Sequence, residues 1–238
     1  MTTNVPHTSR AEFKLLVRGF LRILAFLFVT AAVLFASAGT TDWPAVWIFL
    51  GMFLIYYLLL YLWVGNRNPQ VLVTRAGSTR ADAQGWDRAI LILYALMQIV
   101  MYVLAGLEVM RYGWTALPPI WRGLGFGLLS LSFMIPFWAM LHNPFAAPIV
   151  RIQSESGHRV ISSGPYALIR HPMYIAAFLY GLGGPLFFGS LLALLPGLVI
   201  CFLFLLRTAR EDSFLLAQLP GYADYAAKVR FRLFPGIW

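Results

Sequence analysis

An all-α integral membrane protein with about six transmembrane helices, five being the alternative, is the fold class that the sequence predicts. Three observations lead there. The 238 residues are 60% hydrophobic and only 11% charged, against about 25% charged in soluble domains. Apolar runs recur at lengths near the roughly 17–25 residues that cross a bilayer. The Lys and Arg residues fall between those runs rather than along one soluble face. That distribution argues against nucleic acid as a partner despite the net charge of +9, because a nucleic-acid surface gathers its basic residues into one patch.

The spans follow in order. Apolar stretches at 20–39, 43–64, 89–110 and 120–141 each suit one crossing. The region 172–206 is too long for one comfortable span and carries Gly189-Ser190 near its middle, so it reads as two short antiparallel helices. Trp43, Trp47, Trp114 and Trp121 stand at the expected boundaries, where amphipathic rings settle. Glu108 stands three residues before Arg111, and a helix-face ion pair is expected between them. With the N-terminus inside, sixteen of the eighteen basic residues face the cytoplasm, all but Arg111 and Arg122. Positive-inside bias then sets both termini in the cytoplasm. The first basic cluster leads into a long span with no small-residue cleavage pattern, so no cleavable signal is expected.

Chemistry concentrates in the second half. Lone Cys201 lies in an apolar run, which excludes a disulfide framework and a thiolate metal cluster; no metal site is expected. Neither a Walker loop nor an HExxH or GxSxG pattern occurs. The Gly-rich segment ending at Pro185 sits inside a span, where close helix packing explains it better than phosphate binding. By contrast, HNPFAAPIVRIQSESGHRVISSGPYALIRHP, from His142 to Pro172, is a long polar connection. Loops of that length are functional or disordered, and its turn signals at Ser156-Gly157 and Gly164-Pro165 favour a folded one. Asn143 before Pro144 reads as a turn former.

Pro172 suits the first turn of a helix, which sets Arg170 and His171 at a helix N-terminus. There, free backbone N–H groups, a guanidinium and an imidazole together suit an anion. A topological anchor is an equal reading of that pair taken alone. After the last span, Arg207 and Glu211 are spaced for an i,i+4 pair. Tyr222 and Tyr225 lie one turn apart, as interfacial aromatics also would. Each feature is weak by itself, but the two polar clusters flank one short hairpin and face the same side of the membrane.

The ordered set GPYALIRHPMY, a helical hairpin, and EDSFLLAQLPGYADYAAKVRFRLFPGIW resembles the isoprenylcysteine carboxyl methyltransferase family, including its bacterial members, and the related phospholipid methyltransferases. The resemblance covers about 140–238. Two positions depart from the family pattern: Ala176 stands where Gly is common, and the acidic pair is Glu211-Asp212 rather than two glutamates. The resemblance implies residues 1–141 as four N-terminal spans and 142–238 as the catalytic region. It also implies a cytoplasm-facing pocket for S-adenosylmethionine, an acceptor that arrives from the bilayer, and a bacterial inner-membrane location.

Carried over by position, Arg170, His171, Pro172, Tyr174, Glu211, Tyr222 and Tyr225 belong to the cofactor pocket. Arg170 and His171 are expected to clamp the cofactor's carboxylate, and Glu211 to orient its ammonium or ribose hydroxyls. Arg207 and Arg210 are expected, with Glu211, to carry the catalytic positioning of an acceptor carboxylate. The expected partners are the lipid bilayer and a lipophilic or lipid-modified acceptor. Other readings are a sterol-reductase-like enzyme, with Arg230 and Arg232 on the 2′-phosphate of a reduced nicotinamide dinucleotide, or a phospholipid N-methyltransferase. A channel, transporter or assembly factor is disfavoured by the near-absence of ionisable residues at mid-membrane depth.

Overall fold

A computed structural model describes residues 10–79 and 82–238. Among the described residues there are eight helices and no strand. They are α1 (Arg10–Ala38), α2 (Pro44–Arg67), α3 (Pro69–Gly77), α4 (Gly85–Arg111), α5 (Pro119–His142), α6 (Pro172–Phe188), α7 (Leu194–Gln218) and α8 (Tyr222–Lys228). Proline stands in the first turn of α2, α3, α5 and α6, where its missing N–H costs nothing. A π-helical turn, Leu60–Val64, interrupts α2 near its end, and another, Leu107–Arg111, closes α4. Stretches within α1 (Val17–Ala38), α2, α4 and α5 are long and apolar enough to cross a membrane, and they match the four runs expected from the sequence to within a few residues.

The region 172–206 divides at Gly189, as its composition suggested. Gly189 adopts φ +88° at the end of α6, a left-handed conformation that a side chain disfavours, and the chain turns back into α7. The hairpin then closes tightly. A Cβ on Gly181 would lie 2.6 Å from the carbonyl oxygen of Gly197, so the two backbones touch. In lipid, where apolar side chains gain nothing by leaving the solvent, such close approach is a main source of helix association. The Gly-rich segment is thus a packing surface.

Around the hairpin, α5 lies along α6, while α4 packs between α1 and α7. Their shared core holds Phe49, Met101, Leu129, Phe188 and Ile200. The outer faces carry apolar side chains such as Phe28, Leu62 and Ile120, which suits a lipid surround. Polar groups inside are paired: Gln98 Nε2 donates to Tyr102 Oη at 3.0 Å and to Tyr180 Oη at 2.8 Å, tying α4 to α6.

Two details depart from the sequence reading. Glu108 does not pair with Arg111. Its carboxylate accepts from the hydroxyls of Thr115 and Ser190 and from the backbone N–H of Leu191 and Leu192. The N–H groups entering α7 have no intrahelical partner, and a buried acid answers them; Arg111 instead donates to the Ala36 carbonyl at 3.2 Å. Trp43 stands at the start of α2, as expected of a boundary residue, but is buried against Phe188 instead of facing outward. As the helical spacing of Arg207 and Glu211 expects, α7 continues to Gln218, past the apolar run.

Candidate cofactor pocket

The polar ends of α6 and α7 are brought together by the C-terminal segment. The backbone N–H groups of Arg170 and His171 donate to the carbonyls of Phe231 and Arg232 at 3.0 and 2.9 Å. Strand-like pairing of this kind fixes the approach to α6, so both side chains are aimed by backbone on each side. They converge on Asp212, which is fully buried. Its carboxylate accepts from Arg170 Nη2 at 3.0 Å, Arg232 Nε at 2.8 Å and Tyr222 Oη at 2.9 Å, with His171 Nε2 at 3.3 Å. Arg170 Nε lies 2.8 Å from the second carboxylate oxygen, close as an ion pair but not aligned as a hydrogen bond. Arg170 Nη1 also donates to the carbonyls of Ala226 and Val229 at 3.3 and 3.1 Å.

Burial alone would raise the Asp212 carboxyl, but hydrogen bonds from His171, Arg232 and Tyr222 overcome it and hold the group well below the usual carboxylate range. The same contact works in reverse on Tyr222, whose phenol is pushed far up by burial and by the Asp212 charge beside it. Burial also raises Tyr225; its hydroxyl donates to the Tyr166 carbonyl at 2.7 Å. Both tyrosines are buried against Leu219 and are not boundary aromatics.

One helical turn before Asp212, a second ion pair is made. Arg207, only 5% exposed, donates from Nε to Asp87 Oδ1 at 2.8 Å and from Nη2 to the Pro148 carbonyl at 3.0 Å. Asp87 in turn accepts from the Val150 N–H at 2.8 Å. The i,i+4 partner of Arg207 is therefore displaced: Glu211 instead accepts from the Tyr174 hydroxyl, while the Arg207 guanidinium sits 5.0 Å from the Tyr174 ring centre. Asp87, in the first turn of α4, thus connects the N-terminal helices to the polar loop. The only sequence signal for it is an acid opening an otherwise apolar helix.

These contacts shape an open pocket of about 800 Å³, counting the solvent in its mouth. Arg170, His171, Pro172, Tyr174, Glu211, Tyr222 and Tyr225 all line it. Arg207 and Arg210 do not; Arg207 is engaged by Asp87, and Arg210 is exposed. The remaining walls come from the loop: Asn143, Phe145, Ile149, Arg151, His158 and Tyr166 among them. Asn143 Oδ1 accepts from the Phe145 N–H at 2.8 Å, the turn expected there. Burial lowers His158 below its ordinary range against the pull of Glu155, which keeps that ring neutral at pH 7. Arg232, a candidate for a 2′-phosphate on sequence, is committed to Asp212 and lies over Trp238.

Among the described residues, Glu211 is the one acid on the pocket wall, amid aliphatic and aromatic surface and several cationic groups. Arg151 presents a buried Nε with no partner. A ligand bearing an ammonium, a carboxylate and a flat ring fits that set of groups.

Residues 127–217 match the family model described as isoprenylcysteine carboxyl methyltransferase (ICMT) family. Among curated proteins, the chain is 30% identical over 138 residues to the cobalt-zinc-cadmium resistance protein CzcN of Cupriavidus metallidurans, covering 55% of this chain and 57% of that protein. It is 31% identical over 83 residues to the protein-S-isoprenylcysteine O-methyltransferase of Schizosaccharomyces pombe, covering 34% of this chain and 35% of that one. The chain thus spans about half or less of the length of these relatives. Its fold is similar to that of the eukaryotic intramembrane Ras methyltransferase ICMT, with a TM-score of 0.52 at 16% identity, over 96% of this chain and 98% of that one.

Proposed function

We propose, from the match of residues 127–217 to the isoprenylcysteine carboxyl methyltransferase family model, that this chain belongs to that family and transfers methyl groups from S-adenosylmethionine to the carboxylate of a lipophilic, isoprenylcysteine-like acceptor. The observation that carries the reading is the pocket itself. The RHP segment, Tyr174 and Glu211 meet in one cavity whose single wall acid, among the described residues, is Glu211.

Bound there, S-adenosylmethionine supplies a methyl group on a sulfonium, ready for in-line displacement. The chain's task is to hold reactants in near-attack geometry and keep water out. Glu211, held by the Tyr174 hydroxyl, is the counter-charge for the cofactor's ammonium. Arg170 and His171 frame the pocket floor through Asp212, and Tyr166 and Leu215 offer flat and aliphatic surface to a purine. Arg207 acts through Tyr174 and Asp87, fixing both the ring and the 148–150 backbone. A carboxylic acid is already ionised at neutral pH, so no general base is required of the chain.

The positive-inside count supports a pocket open to the cytoplasm, with both termini on that side and, by the resemblance to bacterial members, an inner-membrane location. Purified protein in detergent tests the cofactor assignment. S-Adenosylhomocysteine is expected to bind and raise the melting temperature, and Glu211→Gln to weaken that binding about tenfold or more, the loss of a charged hydrogen bond. Stabilisation by reduced nicotinamide dinucleotide phosphate instead would replace the methyltransferase with a reductase.

A further inference from the structure

The cations expected to greet an anionic ligand are already committed. The Arg170 guanidinium contacts Asp212 and two backbone carbonyls, and His171 contacts Asp212 and Tyr222. With a buried carboxylate holding them, they frame the pocket but have little to offer a second one. The chain carries another cation on the same wall system. Arg151, from the loop, lines the pocket beside His158 and Arg159. Its Nε is buried without a hydrogen-bond partner, a costly condition for a charged donor. Its sole ion-pair partner among the described residues is Glu155, at 3.2 Å through Nη2, and the Glu155 side chain is 60% exposed. Exposed pairs of this kind are weak and readily exchanged. Asp82, the other acid close enough to sense Arg151, is taken up by the hydroxyl and N–H of Thr79.

We propose that Arg151 is the carboxylate-binding residue of this pocket, its guanidinium exchanging Glu155 for a ligand carboxylate. The proposal rests on the methyltransferase reading and deepens it. A guanidinium matches a carboxylate in a planar, two-bond fork, and exposed Glu155 is a weak competitor for it. Two carboxylates suit the chemistry: that of the cofactor's amino-acid moiety and that of the methyl acceptor. Arg159, exposed at the same wall, adds positive potential without a contact of its own.

Calorimetry on the full-length protein in detergent separates these sources and tests the role. The probes are S-adenosylhomocysteine against its decarboxylated analogue and, with saturating S-adenosylhomocysteine present, N-acetyl-S-farnesylcysteine against its carboxamide. Arg151→Gln is expected to weaken one carboxylated probe by about tenfold or more while leaving its carboxylate-free counterpart unchanged. The probe affected names the source. Glu155→Gln breaks the same ion pair and is expected to weaken neither; a purely structural role for the pair would make the two variants alike. Undiminished binding of both carboxylated probes by Arg151→Gln overturns the proposal alone, as does an equal loss with and without the carboxylate. Wild-type protein that binds S-adenosylhomocysteine in no form overturns the functional reading and this proposal with it.

Discussion

Asp212 organises the polar end of the protein. Arg170, His171, Tyr222 and Arg232 come from three separate segments and meet on its carboxylate. In the sequence, the basic motif was visible and the acid was noticed only as a departure from a pair of glutamates. Which cation would be held by which acid depends on contacts across 42 residues of chain, and spacing does not encode that. Asp87 was illegible for the same reason, being 120 residues from Arg207. A stability consequence follows for Asp212. Its folded carboxyl is held below the unfolded value of about 3.9, so the unfolded chain takes up the proton first. The stabilisation is complete above that value and is lost as pH falls from about 4 towards the folded value. Asp212→Asn, which strands the two arginines on its carboxylate, is expected to cost about 3–5 kcal/mol at neutral pH and to flatten the acid limb of stability against pH. Melting curves of both proteins in detergent between pH 3 and 7, a range set by those pKa values, read this directly. An unchanged acid limb in the variant would assign the dependence to another group.

At the scale of elements, the apolar runs and their breaks were legible because lipid imposes one requirement on every span. The hairpin, its turn at Gly189 and the packing role of the glycines could all be read this way. The short helix α3 and the π turns could not, since they arise from contacts rather than from hydropathy. The hairpin contact gives a graded test. At Gly181 an added Cβ meets the Gly197 carbonyl oxygen at 2.6 Å, whereas at Gly184 it meets only the Met101 methyl at 3.5 Å. Gly181→Ala is expected to destabilise by about 1–3 kcal/mol, the usual cost of overpacking. Gly184→Ala is expected to be neutral or to stabilise by up to about 1 kcal/mol through helix propensity. Thermal melts of the two variants in one detergent compare them, and equal melting temperatures would mean that the hairpin is looser than its backbone contact implies.

For the whole molecule, the N-terminal helices and the polar half are joined through Asp87, Arg207 and the Pro148–Val150 backbone. A loop, two helix ends and the C-terminal segment then close one pocket at the edge of an apolar bundle. On the proposed function, that arrangement would give a charged cofactor access from water and a lipid-borne acceptor access from the bilayer, which is the central claim. It is tested most directly in sealed membrane vesicles of both orientations, given methyl-labelled S-adenosylmethionine outside and N-acetyl-S-farnesylcysteine as acceptor. The account predicts a base-labile methyl ester on the acceptor from inside-out vesicles and little from right-side-out ones, since the charged donor does not cross the bilayer. Label found instead as base-stable methyl on lipid amines, or ester formed only by right-side-out vesicles, would contradict it.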